Sequence, residues 1–455
     1  MAEQNREDKT ALHLERLSEA LDSGVQQQVK NLIENLSGPE IGDLLESLPP
    51  TERLAVWELT DPALDGEILV EVGDEVRAGL IRGMSQEQLV KAVGDLDLDD
   101  LADILDDLPD TVIREVLRSM DRLDRERLER VLSYPEDSAG GLMDPNVMTI
   151  RRDVTLDVVL RYVRARGDLR DDILDQIYVV DRAGRYRGVL KIRDLLTHDP
   201  DTKVADVMDT TRTPIDATTS SRQVAMEFEH HDLVSAPVVA DDGLLVGRIT
   251  VDDVVDVIRE EAEHSILTVA GLDEDEDMFA PVFQAARRRW LWLGINLVTA
   301  LLAAFVLYAF EPTLDQIVAT AVLFPVVMSM GGIAGTQTLT LMIRGMATGQ
   351  VSMGNAAWMF RKEFAVGLLN GLLFSVVMAV IAYYWYADIG LGLVMASAIL
   401  INLIAGASAG AVIPVILKRL KIDPALAGGV VLTTVTDVIG ILAFIGLASY
   451  VLLAR

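Results

Sequence analysis

The sequence predicts a multidomain membrane protein: an all-α N-terminal superhelical domain, a tandem α/β pair, and an α-helical transmembrane domain of five helices. Charge divides the 455-residue chain sharply, residues 1–286 holding 64 Asp and Glu against 30 Lys and Arg, and residues 287–455 holding 6 against 10. Within the acidic part a strand–turn–strand–helix pattern occurs twice. The apolar part contains five stretches long enough to cross about 30 Å of hydrocarbon, which takes ~20 helical residues.

Residues 1–135 read as an acidic helical domain. IGDLLESLPPTERL from Ile41 and LADILDDLPDTVI from Leu101 each place apolar residues at i, i+3, i+4 and i+7, then break at a proline. Such short helices cannot bury their apolar faces alone, so they are expected to stack. The opening stretch MAEQNREDKTALHLERL lacks the basic-then-apolar form of a signal peptide, which places this half in the cytoplasm.

From about Gly140 short β-branched runs alternate with helices. QIYVVDRAGRYRGVLKIRDLL (Gln176 to Leu196) and SAPVVADDGLLVGRITVDDVVDVI (Ser235 to Ile258) share one pattern, and each follows a short strand and a helix. The two copies, 136–200 and 201–263, resemble a tandem pair of CBS domains. In that family a strand ending in Gly, then Thr or Ser and an Asp three residues on, is associated with adenosine binding. The second copy has Gly247, Thr250 and Asp253 in that arrangement, and the first has Lys191 at the hydroxyl position. The resemblance therefore implies a nucleotide site in one half at most, with ATP the candidate ligand.

A connecting helix is expected over 264–289, leading into a transmembrane domain over 290–455. Its five segments run approximately 290–310, 316–342, 365–387, 391–417 and 426–453. If they alternate, Arg287, Arg288, Arg289, Arg344, Arg361, Lys362, Lys418, Arg419 and Lys421 share one side, while Glu311, Asp315, Asp388 and Arg455 share the other. The positive-inside rule then puts the acidic domains in the cytoplasm and the C-terminus outside an inner or cell membrane.

The fifth segment carries Asp437 about midway. A carboxylate at that depth costs on the order of 3 kcal/mol on insertion scales, so its default reading is a pathway or binding residue. Thr433 and Thr434, at i−4 and i−3, line the same helical face. A structural reading competes, in which Asp437 holds helices together, but no Lys or Arg lies within the five segments to pair it. In AVLFPVVMSMGGIAGTQTLTLMIRG of the second segment, Pro325 and Gly331, Gly332 and Gly335 permit departures from regular helix. They equally suit close helix packing. Thr336 and Gln337 add polar groups at membrane depth. Carboxylate, hydroxyl and carbonyl oxygens are hard ligands that suit Mg²⁺ or Ca²⁺, and Mg²⁺ keeps most of its waters at so sparse a site. Two chains meeting at the fifth segment would match the divalent charge.

The exclusions are as informative. With no cysteine there is no disulfide and no thiolate metal site. The acidic excess repels nucleic acid and attracts divalent cations. No nucleophile with a base, phosphate loop or metal-activated water site supports an enzyme. Two other classes are carried beside a gated divalent cation channel: a membrane-anchored nucleotide or metal sensor without transport, and a proton-coupled carrier using Asp437.

The whole chain resembles the MgtE family of magnesium channels. LTTVTDVIG around Asp437 is similar to its fifth-helix metal motif, KIDPALAGG with Asp423 and Pro424 to the loop before that helix, and PVVMSMGGIAGTQ to its second-helix motif. The resemblance implies a homodimer that binds Mg²⁺ at the pore through Asp437, Thr433, Thr434, Gly331, Gly332 and Gln337. It also implies regulatory Mg²⁺ on cytoplasmic acids, here Asp99, Asp103, Asp232, Asp253 and Glu261. Two departures stand out: Ile333 replaces the usual Asn after the glycine pair, and ATTSSRQV lacks the acids that family members tend to carry there. For any one of these acids a solvated helix face is the competing reading.

Overall fold

A computed structural model describes residues 26–94, 96–165, 174–269, 272, 277–316, 318–352 and 354–452. The N-terminal stretch read for a signal peptide, most of the acidic run 270–276 and Arg455 lie outside them. The chain divides into two compact units, one of residues up to Glu263 with 277–280, the other of the remainder.

The first unit begins with short helices over Gln26–Ile33, Gly38–Glu46, Pro50–Trp57, Asp65–Glu71, Asp74–Ile81, Gln86–Val93, Leu98–Ile104, Asp110–Ser119 and Arg122–Val131. Their starts are written in the sequence. The Ser37 N–H donates to Glu40 at 2.9 Å and the Ser85 N–H to Gln88 at 2.9 Å, while Asp121 accepts from the Asp124 N–H at 2.8 Å. Ile41, Leu45, Ile68, Leu69, Leu101 and Ile104 are among the side chains that close one core. A repeat of shorter spacing than the Ile41 and Leu101 copies is built on arginine. Arg53 donates to the carbonyls of Leu45 and Leu48, at 2.8 and 3.0 Å, and Arg77 donates to those of Leu69 and Val72 at the same distances. Each guanidinium thus satisfies one carbonyl in the last turn of the preceding helix and one just beyond its end. Arg53 is completed by Asp277 at 2.8 Å and Arg77 by Asp107 at 3.0 Å.

The α/β part holds two three-stranded sheets. In the first, β1 (Thr149–Arg151) lies parallel to β2 (Gln176–Val180), which pairs antiparallel with β3 (Tyr186–Lys191). In the second, β4 (Ile215–Asp216), β5 (Ser235–Val239) and β6 (Leu245–Thr250) repeat that order. The register pairs Gln176 with Lys191 and Ser235 with Thr250, so Lys191 and Thr250 occupy equivalent positions. The copies are tied together by Ser235, whose hydroxyl donates to Asp175 at 2.6 Å and accepts from Gln176 at 2.9 Å and Tyr178 at 3.1 Å.

The connecting helix differs from expectation. A helix runs over Val251–Val269, directly from the end of β6, and a separate one starts at Val282. Residues 278–279 form a turn between them. Pro281 disfavours helix at the residue before it, and Asp277 is held by Arg53 and by its own N–H donating to Glu75 at 3.0 Å.

Among the described residues the second unit has five helices long and apolar enough to cross a membrane: Val282–Tyr308, Ala319–Ala347, Ala356–Tyr386, Ile389–Arg419 and Pro424–Val451, hereafter spans one to five. Span two remains helical through Pro325 and its glycines. Gly331 and Gly335 serve packing. A Cβ on Gly410 would lie 2.5 Å from the Gly335 carbonyl oxygen, and one on Gly406 would strike the Gly331 carbonyl oxygen. Spans two and four therefore approach backbone to backbone through small residues four apart. Span five contains a π-helical turn over Leu442–Gly446.

Candidate functional site

Span five is started by Asp423, which accepts from the Ala425 N–H at 2.7 Å with Pro424 as the first helical residue. The other Asp423 oxygen lies 3.2 Å from His264 Nε2. Gly428, Leu432, Thr436 and Gly440, four residues apart, form the buried stripe. A Cβ on Gly335 of span two would lie 2.8 Å from Leu432. Asp437 follows Thr436 and so turns about 100° off that stripe. Its carboxylate is half-buried. Among the described residues no hydrogen bond or ion pair reaches it. The Thr433 and Thr434 hydroxyls donate to the Val430 carbonyl at 3.0 and 2.8 Å, which leaves their oxygen lone pairs available to a ligand. Three groups bearing hard oxygens thus share one side of the helix, a donor set that fits a hydrated divalent cation.

The predicted residues of span two separate. Gly331 is buried against span four, whereas a Cβ on Gly332 would meet no atom within 4 Å. Ile333, Thr336 and Gln337 are exposed on the chain. No hydrogen bond joins Gln337 to Asp437 among the described residues.

Sequence reasoning missed a second buried acid. Glu363 of span three is 5 % exposed, accepts from the Thr338 hydroxyl of span two at 3.1 Å, and has Lys362 at 3.3 Å. The apolar pattern begins the third segment at about 365, nine residues too late, because Arg361, Lys362 and Glu363 together read as a loop. The helix in fact starts at Ala356.

In the first unit, Asp99, Asp100, Asp103 and Asp253 form an electrostatic cluster. Burial, reinforced by Asp144, Asp100 and Asp253, pushes Asp99 up to about 8. Burial together with Asp97 and Asp252 raises Asp100 to about 6, and burial with Asp100 and Glu136 raises Asp103 to about 7, although Asp103 keeps an open edge. Asp253 rises to about 6, through burial that outweighs its hydrogen bonds from Thr250. One oxygen of Asp99 is sealed from solvent without a donor. Acids in this state are under-compensated, and a divalent cation is the species whose charge and hard-oxygen preference fit them. Among the described residues no three acids or histidines yet stand as a ready ligand set, so binding would have to draw them together.

The remaining predicted residues lie differently. Asp232 is exposed at the end of the helix Ser221–His231, in left-handed backbone at φ 49°. Glu261 is paired with Arg222. Neither is among the charges that weigh most on the four clustered acids. At the second α/β copy, Asp253 accepts from the Thr250 N–H at 2.8 Å and from its hydroxyl at 3.0 Å, so the Thr–Asp pair also starts helix Val251–Val269. At the equivalent point of the first copy, Lys191 is engaged by Asp209 at 3.0 Å.

Comparison with known proteins agrees with this layout. Residues 36–137 match the MgtE intracellular N domain, 139–201 and 204–260 the CBS domain, and 324–447 the divalent cation transporter family MgtE. The chain is 33% identical to the magnesium transporter MgtE of Thermus thermophilus, over 98% of this chain and 99% of that one. It is 29% identical to the MgtE of Bacillus subtilis, over 94% and 95% respectively. A crystal structure of the cytosolic domain of the Mg²⁺ channel MgtE in complex with ATP covers 54% of this chain and 99% of its own, at 33% identity and a TM-score of 0.48. With a helical N domain, a CBS pair and five apolar helices in the order of relatives matched almost end to end, the chain belongs to the MgtE family of divalent cation transporters.

Proposed function

We propose that this chain carries Mg²⁺ across a cytoplasmic membrane as a homodimer, with Asp437 as the permeation-path carboxylate. The observation that carries the reading is Asp437 itself, an acid in a membrane span with no hydrogen-bond or ion-pair partner among the described residues and two threonine oxygens on the same side of its helix. Lipid is a poor neighbour for such a group, and a hydrated cation is a good one. Exposed Thr336, Gln337 and Thr433 support a second copy, because on a lone chain these polar groups would meet hydrocarbon. Asp437 of each chain would supply one carboxylate, two in all for a divalent ion.

Orientation follows from charge. Arg287–Arg289, Arg344, Arg361, Lys362, Lys418 and Arg419 lie at one set of helix ends and Glu311 and Asp388 at the other, which favours a cytoplasmic first unit and an outside C-terminus. Asp99, Asp103 and Asp253 act with Asp100 as the cation sensor, while Asp232 and Glu261 serve its periphery. Mg²⁺ bound there draws the acidic helices together and closes the path by mass action. ATP at the CBS pair, near Thr250 and Asp253, is a further ligand of this reading. The chain acts as a transporter and does no covalent chemistry.

Mg²⁺ flux into proteoliposomes tests this, wild type beside Asp437→Ala, with Mg²⁺ titrated on the side of the first unit. The reading predicts flux lost in the variant and inhibited by Mg²⁺ in the wild type. Equal flux in both proteins would remove Asp437 from the path, and flux indifferent to Mg²⁺ would remove the sensor.

A further inference from the structure

Asn402 of span four is fully buried where spans two, four and five meet. Its Nδ2 donates to the Val327 carbonyl of span two at 2.8 Å. The group facing a carbonyl must be the NH₂, which fixes the amide's orientation by chemistry. Oδ1 is then left sealed without a donor. Two glycines make room for this one side chain. A Cβ on Gly331 would lie 2.5 Å from the Asn402 Cγ, and one on Gly440 of span five would lie 3.0 Å from Nδ2. Gly440 is three residues beyond Asp437, and Gly331 is one turn beyond Val327.

A junction selected for stability alone would not look like this. An apolar residue of similar shape fills the same space without an orphaned Oδ1, and the Val327 carbonyl it no longer bonds still accepts within the continuous helix of span two, so the exchange costs little. What the amide adds is a directional bond that pins the depth of span two against spans four and five. We propose that Asn402 is a positioning residue of the permeation path: it sets the register between the glycine stretch of span two and Asp437 of span five, and through it the ion preference. The inference rests on the transport reading above.

The test uses the full chain in proteoliposomes, with Mg²⁺ and Ca²⁺ compared as permeant ions in wild type, Asn402→Leu, Gly331→Ala and the double variant Gly331→Ala/Asn402→Ala. Asn402→Leu is expected to assemble and to unfold at a temperature near that of the wild type. Its Mg²⁺ over Ca²⁺ preference should fall about tenfold, the scale of one lost hydrogen bond. Gly331→Ala is expected to lower the yield of folded protein through its clash with the amide. The double variant restores space, so yield returns while ion preference does not. Asn402→Leu with unchanged flux and preference would overturn the proposal. So would a double variant that regains both yield and preference, since volume alone would then explain the residue, and this arm decides if Asn402→Leu does not assemble. A wild type that passes neither ion overturns the transport reading instead.

Discussion

Replacing Asp99 with asparagine tests whether the acid cluster of the first unit is held under strain until a cation arrives. Asp99 is pushed from 3.8 to about 8. Because its folded-state value is raised, the folded protein binds the proton more tightly than the unfolded chain. Stability from this site is therefore full at acidic pH and falls as pH rises from about 4 towards 8. At pH 8 a shift of that size has a ceiling near 6 kcal/mol, about 1.4 kcal/mol per pH unit, and water reaching the half-open side chain reduces it to about 2 kcal/mol. Asp99→Asn keeps the shape and removes the ionisation. In thermal unfolding of the full chain at pH 8 with chelator, the variant should be more stable than the wild type by several degrees, and at pH 4, near the ordinary carboxylate value, the two should coincide. Adding Mg²⁺ should raise the wild-type midpoint more than that of the variant. A variant no more stable than wild type at pH 8, or one with the same Mg²⁺ response, would refute the argument.

Further expectations rest on single contacts. Gly406→Ala should sharply reduce assembled protein, because its methyl group would strike the Gly331 carbonyl and overpacking of this kind costs about 1–3 kcal/mol or more; size-exclusion profiles of detergent-solubilised protein check it. Arg77→Ala leaves the Leu69 and Val72 carbonyls and Asp107 without their shared donor, and should lower stability by about 2–4 kcal/mol, read by chemical unfolding. Glu363→Leu should destabilise spans two and three by about 1–3 kcal/mol, since it orphans the Thr338 hydroxyl, whereas Glu363→Gln, which still accepts, should be nearly neutral in the same heat-inactivation assay.

Much of this fold is legible in the sequence because its signals are periodic and local. The repeat QIYVVDRAGRYRGVL and SAPVVADDGLLVGRIT gives two sheets with matching registers, down to the same bulge after Val179 and Val238. The apolar lengths give five spans. Asp437 is legible because a carboxylate in an apolar run has few bland explanations. What was illegible depends on three-dimensional partners. Gly331 and Gly332 are indistinguishable by composition, yet one meets Asn402 and the other meets open space. Asn402 looks like one polar residue in ILINLIAG until Val327, Gly331 and Gly440 surround it. Arg53 and Arg77 read as ordinary surface charges because their acceptors are backbone carbonyls, which no residue pattern advertises. The break before Val282 depends on a partner distant in sequence, since Asp277 is captured by Arg53.

The most direct test of the account is Mg²⁺ entry through Asp437→Asn beside Asp437→Glu in the same proteoliposomes, with folded state confirmed by unfolding temperature. The account predicts that the amide, isosteric but uncharged, abolishes entry while the longer carboxylate retains a measurable part of it. Entry through Asp437→Asn at the wild-type rate would contradict it, since a neutral side chain would then serve the ion as well as the charge does.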